Sequence, residues 1–327
     1  MSDTIYPLQF KPVYKDYIWG GDKIIRKYDR DEPEGIYAES WEVTERDDGM
    51  SVVENGPLAG KSLRDVIAMH GTDLLGNRVK GDAFPLLIKL IDSRQCLSVQ
   101  VHPDDESAAK YGGEAKTEMW YVLDADDGAR VLAGLKGEVG RDAFVSAIED
   151  NSFGDILNPV PVDAGDAIYI HGGRVHAIDK GCLLLEVQQN SNTTYRIYDW
   201  GRVGNDGKPR DLHIEQALQV IDWDDRADPK VTQEKIEATG AGERWEVLTS
   251  PYFRLERWAV NSPWDTEGDP ETFQIFFASK GEAAFVWENG VEKLATGRTC
   301  MVPAALGAFE IRPIDEPAEL LRVTIPA

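Results

Sequence analysis

Long apolar runs are missing from this chain. None of its 327 residues falls in a stretch apolar enough to cross a bilayer as a helix. The opening MSDTIYPLQF has no basic region followed by an apolar one, so no secretory signal is expected. Cysteine is scarce: Cys96, Cys182 and Cys300 are far apart and odd in number. That argues against a disulfide framework and for reduced, mostly buried thiols in a cytoplasmic protein. Basic residues are few beside acidic ones, 35 against 58, for a net charge of −23. Such a field repels nucleic acid and anionic membranes, and neither is expected as a partner. It also repels a phosphorylated substrate at long range, so a site for one needs a local cationic pocket. The acids are spread along the chain rather than gathered in a tail, as suits solubility.

What is present is a succession of short strand patterns separated by Gly, Pro, Asp and Asn turns, the spacing of a mainly β sandwich or barrel. PLLIKLID (85–92), LSVQVH (97–102), EMWYVLD (118–124), AIYI (167–170), CLLLEVQQ (182–189) and TYRIYDW (194–200) read as strands. So do YFRLERWAV (252–260), TFQIFFAS (272–279), AAFVWEN (283–289) and AELLRVTI (318–325). Helical patterns are few: 62–70, 140–150 and 212–221, with 136–158 forming a small helical excursion between strands. The polar stretch 224–243 reads as a linker between two β domains, 1–235 and 240–327. A weak repeat relates the halves: a glycine, five strand-like residues and a tight turn occur at 165–176 and again at 297–304. Only the first copy ends in a histidine, His176, which leaves the C-terminal domain without metal ligands.

There are only five histidines. His70 precedes a helix-ending glycine, His213 precedes a helix, and His171 lies in a glycine turn. His102 and His176 close strands whose other face is apolar. Ser98, Gln100 and His102 share one face of LSVQVH by the period-two rule, and Glu118 opens the next strand. An amide oxygen, two imidazoles and a carboxylate form a plausible four-ligand site for Zn²⁺. The competing reading is that Ser98 and Gln100 line the solvent side of a half-exposed strand.

LSVQVHPDDE, followed by KTEMWYVL and GDAIYIHGGRVHAI, closely resembles the type I mannose-6-phosphate isomerases, zinc enzymes of the cupin superfamily. DYIWGG, ESWEVT, FPLLIKLIDS and EVQQNSNTTYRIYDWGR extend the resemblance over most of the chain, whose length suggests the short bacterial form. It implies two cupin-type jelly-roll β-barrel domains, 1–235 catalytic and 240–327 degenerate. It implies one Zn²⁺ per chain on Gln100, His102, Glu118 and His176, and interconversion of mannose 6-phosphate and fructose 6-phosphate through an enediolate. Arg196 and Lys116 become the catalytic candidates. Ser98, Lys89, Lys116, Glu186 and Trp19 are expected to line the substrate pocket. A metal-bound hydroxide, Lys116 and Glu186 stay open as the proton-transfer base. The expected partner is a small phosphorylated sugar, with the protein a monomer or weak homodimer. Two positions depart from the family pattern: His171 replaces a proline, and Asn192 replaces an acid that an amide cannot substitute as a titrating group. Two histidines and a carboxylate would also suit a non-haem iron dioxygenase. A non-catalytic sugar-binding cupin would have lost its ligands, which this N-terminal half retains.

Overall fold

The structure is a computed structural model describing residues 5–33, 35–137, 139–150, 152–204 and 207–327. It is mainly β, and among the described residues no helix is long and apolar enough to cross a membrane. The chain divides into two compact units, neither continuous in sequence: residues 1–13, 41–88 and 232–327 form one, and residues 14–40 and 89–231 the other. A single cut between 235 and 240 is therefore not the division observed. The first 13 residues and 41–88 group with the C-terminal segment. The expected linker also proves partly structured, because Glu234–Ala238 and Gly242–Thr249 are paired strands. The first of these is polar and mostly exposed along its length. A solvated edge strand carries no apolar alternation for a sequence pattern to catch.

In the unit of residues 232–327 and its N-terminal segments, a ten-stranded sheet is organised on the ladder between Gln274–Trp287 and Ala308–Thr324. TFQIFFAS and AAFVWEN are thus one strand, carried through Lys280 and Glu282 by register shifts. Trp258, Phe276, Phe285 and Leu320 lie in its core.

The unit of residues 14–40 and 89–231 contains the strands predicted to carry chemistry. A five-stranded antiparallel sheet runs in the order Leu157–Pro161, Arg130–Leu135, His176–Ile178, Val99–Val101, Tyr195–Tyr198. A six-stranded sheet includes Ala167–Ile170, Glu118–Ala125, Cys182–Gln189 and Leu86–Ser93 as successive neighbours. Ile168, Trp120 and Leu184 from the second sheet share a core with Val131, Ala133 and Ile178 from the first. On the far face of the five-stranded sheet, Val99, Val101 and Ile197 pack with Phe144, Phe153, Ala217 and Val220. Those four belong to helices Arg141–Glu149, Phe153–Ile156 and Ile214–Val220. Val99 and Val101 of LSVQVH are therefore covered by helices, and its polar face points inward. Ser98 is buried and Gln100 half-buried, and both line a cavity rather than the open surface, so the solvent-side reading fails.

The turn before this unit's first helix is set by two glycines. A Cβ on Gly20 would lie 2.5 Å from the Ala38 backbone nitrogen, and one on Gly21 would lie 2.6 Å from Asp92 Oδ2. Asp92 Oδ2 accepts the Lys23 backbone N–H at 2.6 Å, at the start of helix Lys23–Lys27. Burial pushes the Asp92 carboxyl from 3.8 to about 6, against the pull of that amide. The folded state thus holds the proton more tightly than the unfolded chain. This group's contribution falls as pH rises from about 4 to about 6, by at most about 3 kcal/mol, and is flat above. Asp92→Asn is expected to flatten that segment of the stability–pH curve, read as the difference between variant and wild type in urea unfolding from pH 4.5 to 7.5. Parallel curves would refute the assignment.

Candidate metal centre and substrate cavity

Strand register builds the site. Arg196, Gln100 and His176 are directly opposite one another across three adjacent strands, so their side chains share one face. On the other sheet, Glu118 pairs with Gln188, and Glu186 with Trp120, which places Glu118, Trp120 and Glu186 on one face. The two faces meet at the imidazoles. His176 Nε2 lies 3.3 Å from Glu118 Oε1, and His102 Nε2 lies 3.5 Å from Glu118 Oε2. All three residues are buried, and their ligand atoms lie within 4.8 Å of one another.

Both imidazoles are oriented from behind. His102 Nδ1 bonds the Thr193 carbonyl and His176 Nδ1 the Arg174 carbonyl, each at 2.8 Å. A carbonyl accepts only, so each ring carries its proton on Nδ1 and turns the Nε2 lone pair toward Glu118. Burial, reinforced by Lys116, holds His102 well below the ordinary value, and burial takes His176 down to about 3, so both are neutral at pH 7. Burial raises Glu118 to about 7, with the Glu186 charge adding to it. Both Glu118 oxygens are buried, and the Lys116 ammonium lies 2.6 Å from Oε2. Two neutral lone pairs converging on a buried carboxylate form a donor set that suits a divalent cation. Gln100 is adjacent, but its amide nitrogen, not its oxygen, faces His176 Nε2, at 3.3 Å.

Lys116 sits closer to this cluster than a phosphate-facing role suggests. Its Nζ is 2.6 Å from Glu118 Oε2 and 3.1 Å from His102 Nε2. Lys89, the lysine interrupting an apolar strand, is buried with Nζ 2.9 Å from Glu186 Oε1 and 3.4 Å from Glu39 Oε1. Burial alone would lower its pKa, but Glu186 and Glu39 prevail and raise it, so Lys89 is charged. Burial would raise Glu186, but Lys89 and Lys116 outweigh it and hold the carboxyl below its ordinary value. Its Oε2 accepts the Trp120 indole N–H at 2.8 Å.

A cavity of about 260 Å³ opens above these groups. Trp19, Lys89, Ser98, Gln100, Lys116, Glu186 and Arg196 all line it, so the fold brings these candidates together around one cavity. Trp19 also belongs to the core beneath. Asn192 lines the cavity as well, with its backbone N–H bonded to Glu114 Oε2. His171 lies apart, with Nε2 3.4 Å from Asp225 Oδ1, so it does not compete as a ligand. His213 bridges to Arg196: its Nδ1 accepts the Arg196 N–H and its own N–H donates to the Arg196 carbonyl. Glu39 and Arg210 also line the cavity, and sequence reasoning missed both. Glu39 is a buried acid that opens the strand Glu39–Val43, where a polar residue is ordinary. Arg210 lies in a loop, held by Asp199 at 2.6 Å, and no pattern marks it.

The fold and site thus define a β-sheet protein with a buried two-histidine, one-carboxylate cluster, touched by Gln100 and Lys116 of a neighbouring polar cavity. The catalytic-domain model of type I phosphomannose isomerase matches residues 8–135. The chain is 35% identical over 309 residues to the probable mannose-6-phosphate isomerase GmuF of Bacillus subtilis, covering 94% of this chain and 96% of that protein. It is 37% identical over 256 residues to the mannose-6-phosphate isomerase of Streptococcus mutans, covering 78% and 79%. The crystal structure of mannose 6-phosphate isomerase from Bacillus subtilis superposes with a TM-score of 0.90 at 30% identity, over 98% of this chain and 99% of that one. The chain belongs to the type I phosphomannose isomerase family, a family of aldose–ketose isomerases.

Proposed function

We propose that this protein is a zinc-dependent isomerase that interconverts mannose 6-phosphate and fructose 6-phosphate through an enediolate. The observation that carries this reading is the cavity itself. Two of its lining residues, Gln100 and Lys116, reach the His102–Glu118–His176 cluster, and Lys89, Lys116, Arg196 and Arg210 supply positive charge in a chain of net charge −23. A phosphorylated sugar needs that local reversal of sign. The unit of residues 14–40 and 89–231 is the catalytic cupin barrel in this reading. Residues 232–327 supply the degenerate one.

Gln100 would supply a fourth ligand with its amide turned so that the oxygen faces the cluster. The bound cation would act as a Lewis acid toward the two sugar oxygens that share the enediolate charge. Arg196 adds positive charge on the same face. Lys89 and Arg210, with the Ser98 hydroxyl, serve the phosphate as charged and neutral donors. Lys116 and Glu186, 3.9 Å apart, are the cavity groups able to hold the proton that leaves one carbon and returns to its neighbour. Trp19 offers the sugar an apolar wall. The neutral Asn192 takes no part in proton transfer.

The test is a coupled assay with mannose 6-phosphate on the holoenzyme, after chelation, and after zinc is restored, with metal content measured in each state. Activity is expected to vanish with the metal and return at one zinc per chain. No turnover at full zinc occupancy would sink the proposal.

A further inference from the structure

Next to the substrate cavity the chain turns tightly at Asp199–Arg202, through a residue poorly suited to the turn. The Arg202 N–H donates to the Asp199 carbonyl at 3.1 Å, and both central residues have positive φ, Trp200 at +58° and Gly201 at +65°. Such turns favour Asn-Gly or Gly-Gly, because a bulky side chain at positive φ is strained. Gly201 meets that need and Trp200 does not. Among the described residues only two other non-glycine residues have positive φ, and both are aspartates, Asp29 and Asp315, a type that tolerates it. Strain of this kind persists where the surrounding structure holds it, and it gathers at functional sites.

Two tethers hold the turn, both on the backbone that leads into strand Val99–Val101. The Trp200 indole N–H donates to the Leu97 carbonyl at 2.7 Å, and Arg202 Nη1 donates to the Cys96 carbonyl at 2.6 Å. The Trp200 ring also meets Tyr198 edge to face, with centroids 5.2 Å apart. What the turn presents is Asp199, a buried carboxylate. Its Oδ1 accepts Arg202 Nη2 at 2.6 Å. Its two oxygens together accept Arg210 as a fork, Nη2 on Oδ1 at 2.6 Å and Nε on Oδ2 at 2.7 Å. A bridge between Val203 and Pro209 returns the chain, so that Arg210 comes back to Asp199. Leu97 and Arg210 both line the cavity, with Ser98 and Arg196, whereas Trp200 does not.

We propose that Trp200 is a positioning residue for substrate binding: it pins the Asp199–Arg202 turn to the cavity wall, and the turn aims Arg210 at the phosphate through Asp199. This rests on the reading that Arg210 serves the phosphate. The indole hydrogen bond offsets an unfavourable dihedral, and the strained turn in exchange fixes where the Asp199 carboxylate points. Without the tether the turn relaxes, Asp199 rotates, and Arg210 follows it.

The test compares wild-type holoenzyme with Trp200→Phe, which keeps an aromatic ring and removes the N–H, with Arg210→Gln, and with the two combined. Calorimetric titration gives the affinity for inorganic phosphate, and the coupled assay gives KM and kcat for mannose 6-phosphate. Trp200→Phe is expected to weaken phosphate binding and raise KM by about fivefold or more. Its kcat stays within about twofold and its zinc content is unchanged, the signature of lost uniform binding. In the Arg210→Gln background the same substitution is expected to change both quantities by less than about twofold, because the two residues act as one unit. Arg202→Gln cuts the other tether; it is expected to behave as Trp200→Phe does, and decides the matter if that variant does not fold. Unchanged phosphate affinity and KM, or an equal change with and without Arg210, would overturn the proposal. A wild type that binds phosphate but does not turn over sinks the isomerase reading instead, and the phosphate titration still decides this one.

Discussion

His176→Ala is expected to remove the metal and turnover together. His176 is wholly buried, its Nε2 is 3.3 Å from Glu118, and its other nitrogen is fixed by the Arg174 carbonyl. Alanine offers no donor there, and water in the vacated space would be a weaker and less oriented ligand. Loss of metal-based charge stabilisation worth several kcal/mol corresponds to a fall of about 10³-fold or more in kcat/KM. The fall should appear alongside metal content well below one ion per chain, measured by emission spectroscopy on the dialysed protein. A variant that keeps full turnover without metal would remove the cluster from the reaction.

The second large effect is on stability, from Asp225→Ala. Arg174 is almost completely buried, and its guanidinium makes four hydrogen bonds. Asp225 takes two of its N–H groups at 2.7 Å each, and the carbonyls of Tyr169 and Ala227 take others at 2.8 and 3.0 Å. Together with Asp225, His171 forms the remaining pair of this network. Hydrogen bonding to Asp225 raises the His171 pKa, and Asp225 itself lies below the ordinary carboxylate range despite its burial. Removing Asp225 leaves a buried guanidinium without countercharge, a loss of about 3–5 kcal/mol. Denaturant unfolding measures it directly. The carbonyl of Arg174 is the one that orients His176, so metal affinity is expected to fall by about 10- to 100-fold in the folded fraction. A stability change under 1 kcal/mol would show that the pair is replaceable by water. This network also accounts for the residue that departs from the family's proline. His171 gives up a fixed φ but ties the turn through its side chain, while Gly173, at φ +92°, supplies the dihedral an L-residue rarely adopts.

How far the sequence revealed the site depended on which force placed each residue. Gln100, His102, Glu118 and His176 were legible because they break a period-two pattern, polar on a strand whose other face is apolar. Lys89 and Glu186 were legible as charges inside apolar strands. Glu39 and Arg210 were not. The first opens its strand, where polar residues are ordinary, and the second is held in a loop by Asp199, a contact fixed by tertiary folding. The place of Lys116 was only half legible. The strand pattern put it beside Glu118, but its approach to His102 depends on how PDDESAAKYGGEA folds. That segment contains the helix Asp105–Tyr111, closed at its start by a reciprocal Asp104–Ser107 capping box. The discontinuous units were illegible for a related reason. Local pattern says where a strand is, and not which distant strand it will pair with.

The row Arg196–Gln100–His176 has a consequence for how such a protein can change over generations. Its three side chains come from strands far apart in the chain but are held at one height by backbone pairing. Residues added in the loops that join the strands leave that row in place. A single residue added within Val99–Val101 would turn Gln100 and His102 toward the helices and drive valines into the cavity. Lineages can therefore lengthen or trim the cavity rim and explore new sugars freely, while the three-residue strand at its centre admits substitutions but no insertions.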